Sequence, residues 1–159
     1  GINRFSLYST FGDKKNLYHQ ALNYYIDHFS VPALAKLCAE DSELDDLLNY
    51  FSYFAKLQHT QTSGCFVQNA ILELSLIDDT VSETGSRLYS LILKAINNVL
   101  LNAQRRGQIA KDENVAQISH FLLLQIQGIR VLGKAKQYGV LEDAMQIITL
   151  YITRLEVAK

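Results

Sequence analysis

The chain has 159 residues, 48% of them hydrophobic and 19% charged, and its 15 basic and 16 acidic side chains leave a formal net charge of −1. That length suits one ordinary domain, or one domain with a small appendage, and the composition excludes intrinsic disorder. The charge balance excludes a generally basic surface but not a local basic patch, and two cysteines without a CxxC motif exclude a disulfide scaffold and suit a reducing cytoplasm.

No apolar run reaches the ~18 residues of a membrane span and no signal-peptide pattern occurs, so a soluble cytoplasmic domain with no membrane partner is expected. One proline and eight glycines, with no stretch of period-two alternation, predict an all-α fold. The first helix is expected from Arg4 to about Thr10, with Asn3 as its N-cap. Gly12 ends it, and Asp13 caps a second helix running to about His28 with Leu17, Tyr18, Ala21, Leu22 and Tyr25 on one face. The chain bends around Pro32, and Val31 to Ala39 is either a short helix or an extension. Ser42 opens the next helix, whose apolar side carries Leu44, Leu47, Leu48, Phe51 and Phe54. After Gly64 comes the segment GCFVQNAILEL. Thr80 and Glu83 have capping-box spacing and open a long helix through Leu88, Ile92, Ala95 and Val99. It closes in QRRG, where arginines suit the negative end of the helix dipole and Gly107 the C′ position.

The last two helices each carry two apolar stripes. From about Glu113 one series is Val115, Ile118, Leu122, Gln125, Ile129, Leu132, and another is Phe121, Leu124, Gly128, Val131, Ala135. The closing helix has Leu141, Met145, Ile148, Ile152 and Leu155 on one row, and Ala144, Ile147 and Tyr151 on another. Two stripes require cover on two sides. Either the chain wraps its own central helix, or two copies join these helices in an intersubunit four-helix bundle. The bundle is the expected arrangement, with Phe121, Gln125, Ile129, Leu132, Met145, Ile148 and Ile152 at the dimer interface.

The opening segment GINRFSLYSTFGDKKNLYHQAL resembles the second half of the DNA-binding motif of the TetR/AcrR family of bacterial transcriptional repressors. The family pattern is a turn glycine, an aliphatic residue, a small polar cap, a short recognition helix ending in a tyrosine and an aromatic, then a lysine and a leucine. Here these are Gly1, Ile2, Asn3, Leu7, Tyr8, Phe11, Gly12, Asp13, Lys14 and Leu17. The segments GCFVQNAILEL and QIQGIRVL are similar to stretches of that family's regulatory domain. The resemblance implies that residues 1–28 are the C-terminal part of a helix-turn-helix domain, with recognition helix and connecting helix, and that residues 29–159 bind ligand and dimerise. A helix-turn-helix needs an earlier helix to brace the recognition helix. The sequence starts at the turn, so it is expected to be part of a longer protein.

The resemblance assigns the DNA-binding residues. The N-terminal residues of a recognition helix face base edges, here Arg4, Phe5 and Ser6. An arginine can bind guanine O6 and N7 bidentately, and Phe5 can meet a thymine methyl. Ser6, Tyr8, Ser9 and Lys14 match phosphate-contacting positions, and hydroxyls, a phenol and an ammonium are suitable donors. The expected partners are double-stranded operator DNA and a second copy of the chain.

Family members also bind a small molecule in the regulatory domain, which respaces the DNA heads. Phe66, Asn69 and Glu73 share a helical face, where a polar pair among apolar neighbours could orient such an inducer. Phe51, Phe54, Tyr89 and Gln125 are the candidate walls. No cofactor or metal is expected, because His19, His28, His59 and His120 lack ligand spacing and no phosphate-cradling loop or GxSxG motif occurs. Cys65 follows a glycine at a helix start, where it is either a redox-sensing thiol or an inert, partly buried one. The function expected is a ligand-responsive repressor and not an enzyme. A helical dimerisation module without DNA binding is the alternative.

Overall fold

Gly12 turns the chain in the left-handed region, at φ 79°, and its amide donates to the Tyr8 carbonyl at 2.8 Å. That is a conformation a Cβ disfavours, and it closes α1 (Arg4–Phe11). Asp13 follows in extended backbone and accepts the Asn16 amide at 2.7 Å, starting α2 (Lys14–Tyr25). The computed structural model describes residues 4–61 and 63–156, with the backbone alone for Arg4 and Phe5, so the expected turn and cap at Gly1 and Asn3 lie outside the described residues.

Helix α2 does not stop near His28. It passes into a π-helical turn, Ile26–Ser30, and then into α3 (Val31–Leu34), with Pro32 in the first turn of α3. The Val31 amide reaches back five residues to the Ile26 carbonyl. That wider register carries the helical path through a proline that cannot donate. The chain therefore stays helical from Lys14 through Pro32 to Leu34, with an inserted π turn.

The remaining helices are α4 (Leu44–Thr60), α5 (Phe66–Leu74), α6 (Asp79–Arg105), α7 (Val115–Lys134) and α8 (Tyr138–Arg154). The described residues are all helical apart from turns and one isolated antiparallel bridge, Ile109 with Glu156. Two expected caps are replaced by neighbours. Glu43, not Ser42, caps α4, in a reciprocal box with Asp46. Asp78, not Thr80, caps α6 by accepting the Thr80 amide at 3.2 Å.

At 27 residues, α6 is about 40 Å long and forms the spine, against which α2, α4, α5 and α7 pack. Its buried row runs Val81, Leu88, Ile92, Ala95, Ile96, Val99, Ala103, and burying each large aliphatic side chain is worth about 1.5–3 kcal/mol. Its polar residues do a second job. Asn98 Nδ2 donates to the Leu37 and Ala39 carbonyls at 2.9 and 2.8 Å, and Asn102 Nδ2 donates to the buried Ser42 hydroxyl at 2.9 Å. These bonds satisfy backbone groups of the α3–α4 connection that would otherwise be desolvated.

Helix α7 settles the two-stripe question within one chain. Ile118, Leu122, Ile126 and Ile129 are buried, and Gly133 lies where an added Cβ would come within 2.5 Å of the Gln58 Cβ on α4. Ile129, Ile148 and Ile152, expected at the subunit interface, are 2%, 4% and 0% exposed in the single chain, so they belong to its own core. The other row faces outward: Phe121, Leu124 and Val131 on α7, with Val140, Ile147 and Leu150 on α8. Gln125, Leu132 and Met145 are half-buried. Twenty residues long, α7 is apolar enough to cross a membrane by length and composition, contrary to expectation from the sequence. Here it lies as a core helix against α4, α6 and α8.

Candidate ligand cavity and DNA-facing helices

Aromatic residues spaced along α2, the π turn and α4 converge on one side of α6. Tyr50 and Phe54, four apart on α4, stack at 5.8 Å with their rings 8° from parallel. Tyr25 at the end of α2 stacks on Phe29 at 5.3 Å and meets the edge of Phe66 at 6.0 Å. Between these elements lies a cavity of about 560 Å³, lined by Tyr25, Phe29, Tyr50 and Phe54, by Leu88 and Ile92 of α6, and by Arg130 of α7. Ser30, Thr60, Gln61 and Ser63 add polar groups to the lining, and a volume of this size with aromatic, aliphatic and a few polar walls is that of a small-molecule site. A larger groove of about 710 Å³ runs between α4 and α8, lined by Lys56, His59, Glu142 and Gln146 among others. It is the more open of the two, and the aromatic cavity, which is partly closed and has the buried Arg130 in its wall, is the candidate site.

Arg130 is the residue that sequence reasoning missed. It is 8% exposed, and its guanidinium lies 5.2 Å from the Phe54 ring centroid. Among the described residues its one hydrogen bond runs from Nη1 to Gln127 Oε1 at 3.3 Å, and its buried Nε donates to nothing. No described carboxylate lies within ion-pair distance of it. A buried cation without a counter-charge is costly. A signal was present: Arg130 is the one residue among Asp, Glu, Lys and Arg between Asn114 and Gly133.

The surrounding phenols register the same site. Burial pushes the Tyr25 hydroxyl up to about 12, with the Cys65 thiol adding to the rise and Arg130 opposing it. Burial also raises Tyr50 and Tyr89, against a smaller lowering by Arg130. All three are thus neutral donors at ordinary pH.

The expected ligand residues divide. Phe54 lines the cavity, and Phe66 backs its wall through Tyr25 and through Tyr18 at 5.4 Å. Tyr89 and Gln125 are half-buried but not in the lining. Phe51 is buried in the core. Asn69 faces elsewhere: it accepts Lys134 Nζ at 2.7 Å and donates to the Ser63 carbonyl at 3.0 Å, beside a smaller cavity of about 260 Å³. Glu73 is exposed and stands near Tyr18, whose pKa rises through burial and then through that carboxylate. The Asn69–Glu73 pair therefore does not orient a ligand in the aromatic cavity. Of that face of α5, Phe66 packs against the cavity wall, while Asn69 is bonded to Lys134 and Ser63 and Glu73 is exposed.

At the other end of α2, Lys14 is exposed at the first helical position, and Tyr8 and Ser6 are exposed on α1. Ser9 Oγ donates its one proton to the Ser6 carbonyl at 3.0 Å, so it would have to rotate away from that carbonyl to donate to a phosphate. The side chains of Arg4 and Phe5 lie outside the described residues. Lys15, also exposed, instead pairs within the chain, its Nζ 3.2 Å from Asp78 Oδ2, which also binds His19 Nε2 at 2.9 Å. Further along, Arg87 of α6 pairs with Asp27 and donates to Asn23 Oδ1 at 3.0 Å. Helix α2 is thus fastened to the spine at both ends.

The chain is similar to the HTH-type transcriptional repressor ComR of Escherichia coli (strain K12): 29% of residues are identical over 147, covering 89% of this chain and 68% of that protein. No family model matches the sequence. No solved structure matches it either.

Proposed function

We propose that this chain is part of a ligand-responsive transcriptional repressor of the TetR/AcrR type, acting in the cytoplasm without enzymatic activity. It binds operator DNA through α1 and the start of α2 (residues 1–28) and binds ligand and a second copy through residues 29–159. The observation that carries this reading is the similarity to a transcriptional repressor over 89% of the chain. The geometry supports a route between them. Helix α2 carries Lys14 at its first residue and Tyr25 at its last, about 17 Å apart at 1.5 Å per residue. Tyr25 is cavity wall. In this reading a ligand that displaces Tyr25 or the adjoining π turn strains the ties of α2 to the spine and tilts α2, and the tilt moves Lys14 and α1 relative to a partner's.

The dimer of this proposal uses the outward rows of α7 and α8. Phe121 is 41%, Leu124 65% and Ile147 66% exposed, and Gly128 between the first two and Val131 has open space above it. Adjacent apolar rows with a small residue at their centre suit close helix contact in a four-helix bundle.

The test is selection of duplexes from genomic fragments by the full-length protein, followed by titration of the enriched sequence. A specific duplex should bind at least a thousandfold more tightly than random DNA of equal length, the order expected for a repressor. Enrichment of no sequence would leave the chain as a helical dimerisation module.

A further inference from the structure

The cavity and its arginine restrict what the ligand can be. Arg130 is held over Phe54, is more than nine-tenths buried, has an Nε without an acceptor and meets no described carboxylate. A guanidinium presents five donors in a rigid fork and cannot shed its charge inside a protein. Around it stand aromatic rings, and at the cavity's edge Phe29 and Tyr53 are exposed, offering apolar surface to an entering molecule. A partly closed cavity with aromatic and aliphatic walls around one buried cation that meets no described counter-charge fits a molecule with the opposite layout.

We propose that the cavity takes an amphipathic organic acid, a carboxylate on an aromatic or medium-chain aliphatic body, with Arg130 as the group that binds the carboxylate. This rests on the reading of the chain as a ligand-responsive regulator, and it names the chemical class of the effector. The carboxylate supplies the counter-charge that no described residue places beside Arg130, and the Tyr50 hydroxyl in the wall, kept neutral by burial, can donate to its second oxygen. The apolar body lies against Tyr25, Phe29, Tyr50 and Phe54. Neutral apolar molecules of the same shape would leave Arg130 as it stands, so the site discriminates by charge. The cavity volume of about 560 Å³ sits within the range of sites for such molecules, about 300–1,000 Å³.

The experiment titrates naphthoate and decanoate, each beside its neutral amide, into the full-length protein by calorimetry, and measures release of bound operator in parallel. At least one acid should bind, and its amide about tenfold to a hundredfold more weakly, the range of a charge-assisted bidentate pair. Arg130→Met, which fills similar space without charge, should remove that preference, while the ligand-free variant melts at the same temperature as wild type or higher, because a lone buried charge has been removed. Arg130→Lys should retain part of the preference, having charge without the fork. Amides binding as well as acids, acids binding Arg130→Met unchanged, or no acid binding at all would overturn the proposal. An acid that binds with the expected preference but fails to release operator upholds the anion site and counts against the regulatory reading. Release of operator by neutral compounds alone does the reverse.

Discussion

Single residues decide where this fold is tolerant and where it is not. Gly133 lets α7 approach α4 so closely that an added Cβ would meet Gln58 Cβ at 2.5 Å and Cγ at 2.7 Å. Atoms so near the α4 backbone cannot move aside without cost. Gly133→Ala is therefore expected to lose about 1–3 kcal/mol of stability by overpacking, read by urea unfolding. Gly128→Ala, five residues away and in open space within the single chain, should cost the protomer's own stability nothing. A second prediction concerns Tyr25. Its phenol ionises near 10 in the unfolded chain and at about 12 in the fold. The stability this contributes is complete below about pH 10 and is lost as pH rises from 10 to 12. Tyr25→Phe should flatten the decline in unfolding free energy over that interval, and the tyrosinate absorbance of the folded protein should rise later in wild type. Residue-level punctuation was legible in the sequence: Gly12 and Asp13 act as their types require. Arg130 was harder to see as a site, because its meaning depends on what four other elements fail to place beside it.

At the scale of elements, helix identity was legible and helix edges were less so. Every long helix expected from apolar periodicity is present, since a buried face imposes its 3.6-residue period on the sequence. The caps moved to neighbouring residues because adjacent polar side chains compete for the same amides, and Asp78 and Glu43 won over Thr80 and Ser42. Ser42 is instead drawn into the Asn98–Asn102 clasp. The π turn could not be read from local sequence, because its register is fixed by the hydrogen bond from Val31 to Ile26. Asp78 joins α6 to α2, and its carboxyl is held below the usual range by the hydrogen bond from His19 and, with it, Lys15. The stabilisation is present above the ordinary aspartate value and is lost as pH falls below about 4. Asp78→Asn should be less stable than wild type at neutral pH, with the difference shrinking as both are acidified. A constant difference across the titration would assign Asp78 a capping role alone.

For the whole molecule, the sequence showed two apolar stripes on α7 and α8 without saying which one the chain covers for itself. Both rows have similar residues, and only the positions of α4 and α6 separate them. The separation changes what a charge should do. Leu124→Asp and Ile147→Asp fall on exposed side chains, so each should leave the melting of the isolated protomer little changed while shifting sedimentation from dimer to monomer. Ile129→Asp should instead unfold the protomer, since it places an uncompensated charge in its core. A dimer that survives both exposed substitutions would put the interface elsewhere.

The central claim, that α1 and the start of α2 grip DNA, is tested most directly by titrating the full-length protein and its Lys14→Ala and Arg4→Ala variants on specific and random duplexes across several salt concentrations. Lys14→Ala is expected to weaken binding to all sequences alike and to lower the salt-dependence slope by about one per subunit, because one fewer counterion is released. Arg4→Ala should cost about 1–3 kcal/mol on the specific duplex and relax preference at one base position in each half-site. Unchanged binding in both variants would contradict the account: this corner of the chain would then be a packed turn, and DNA would be held elsewhere or not at all.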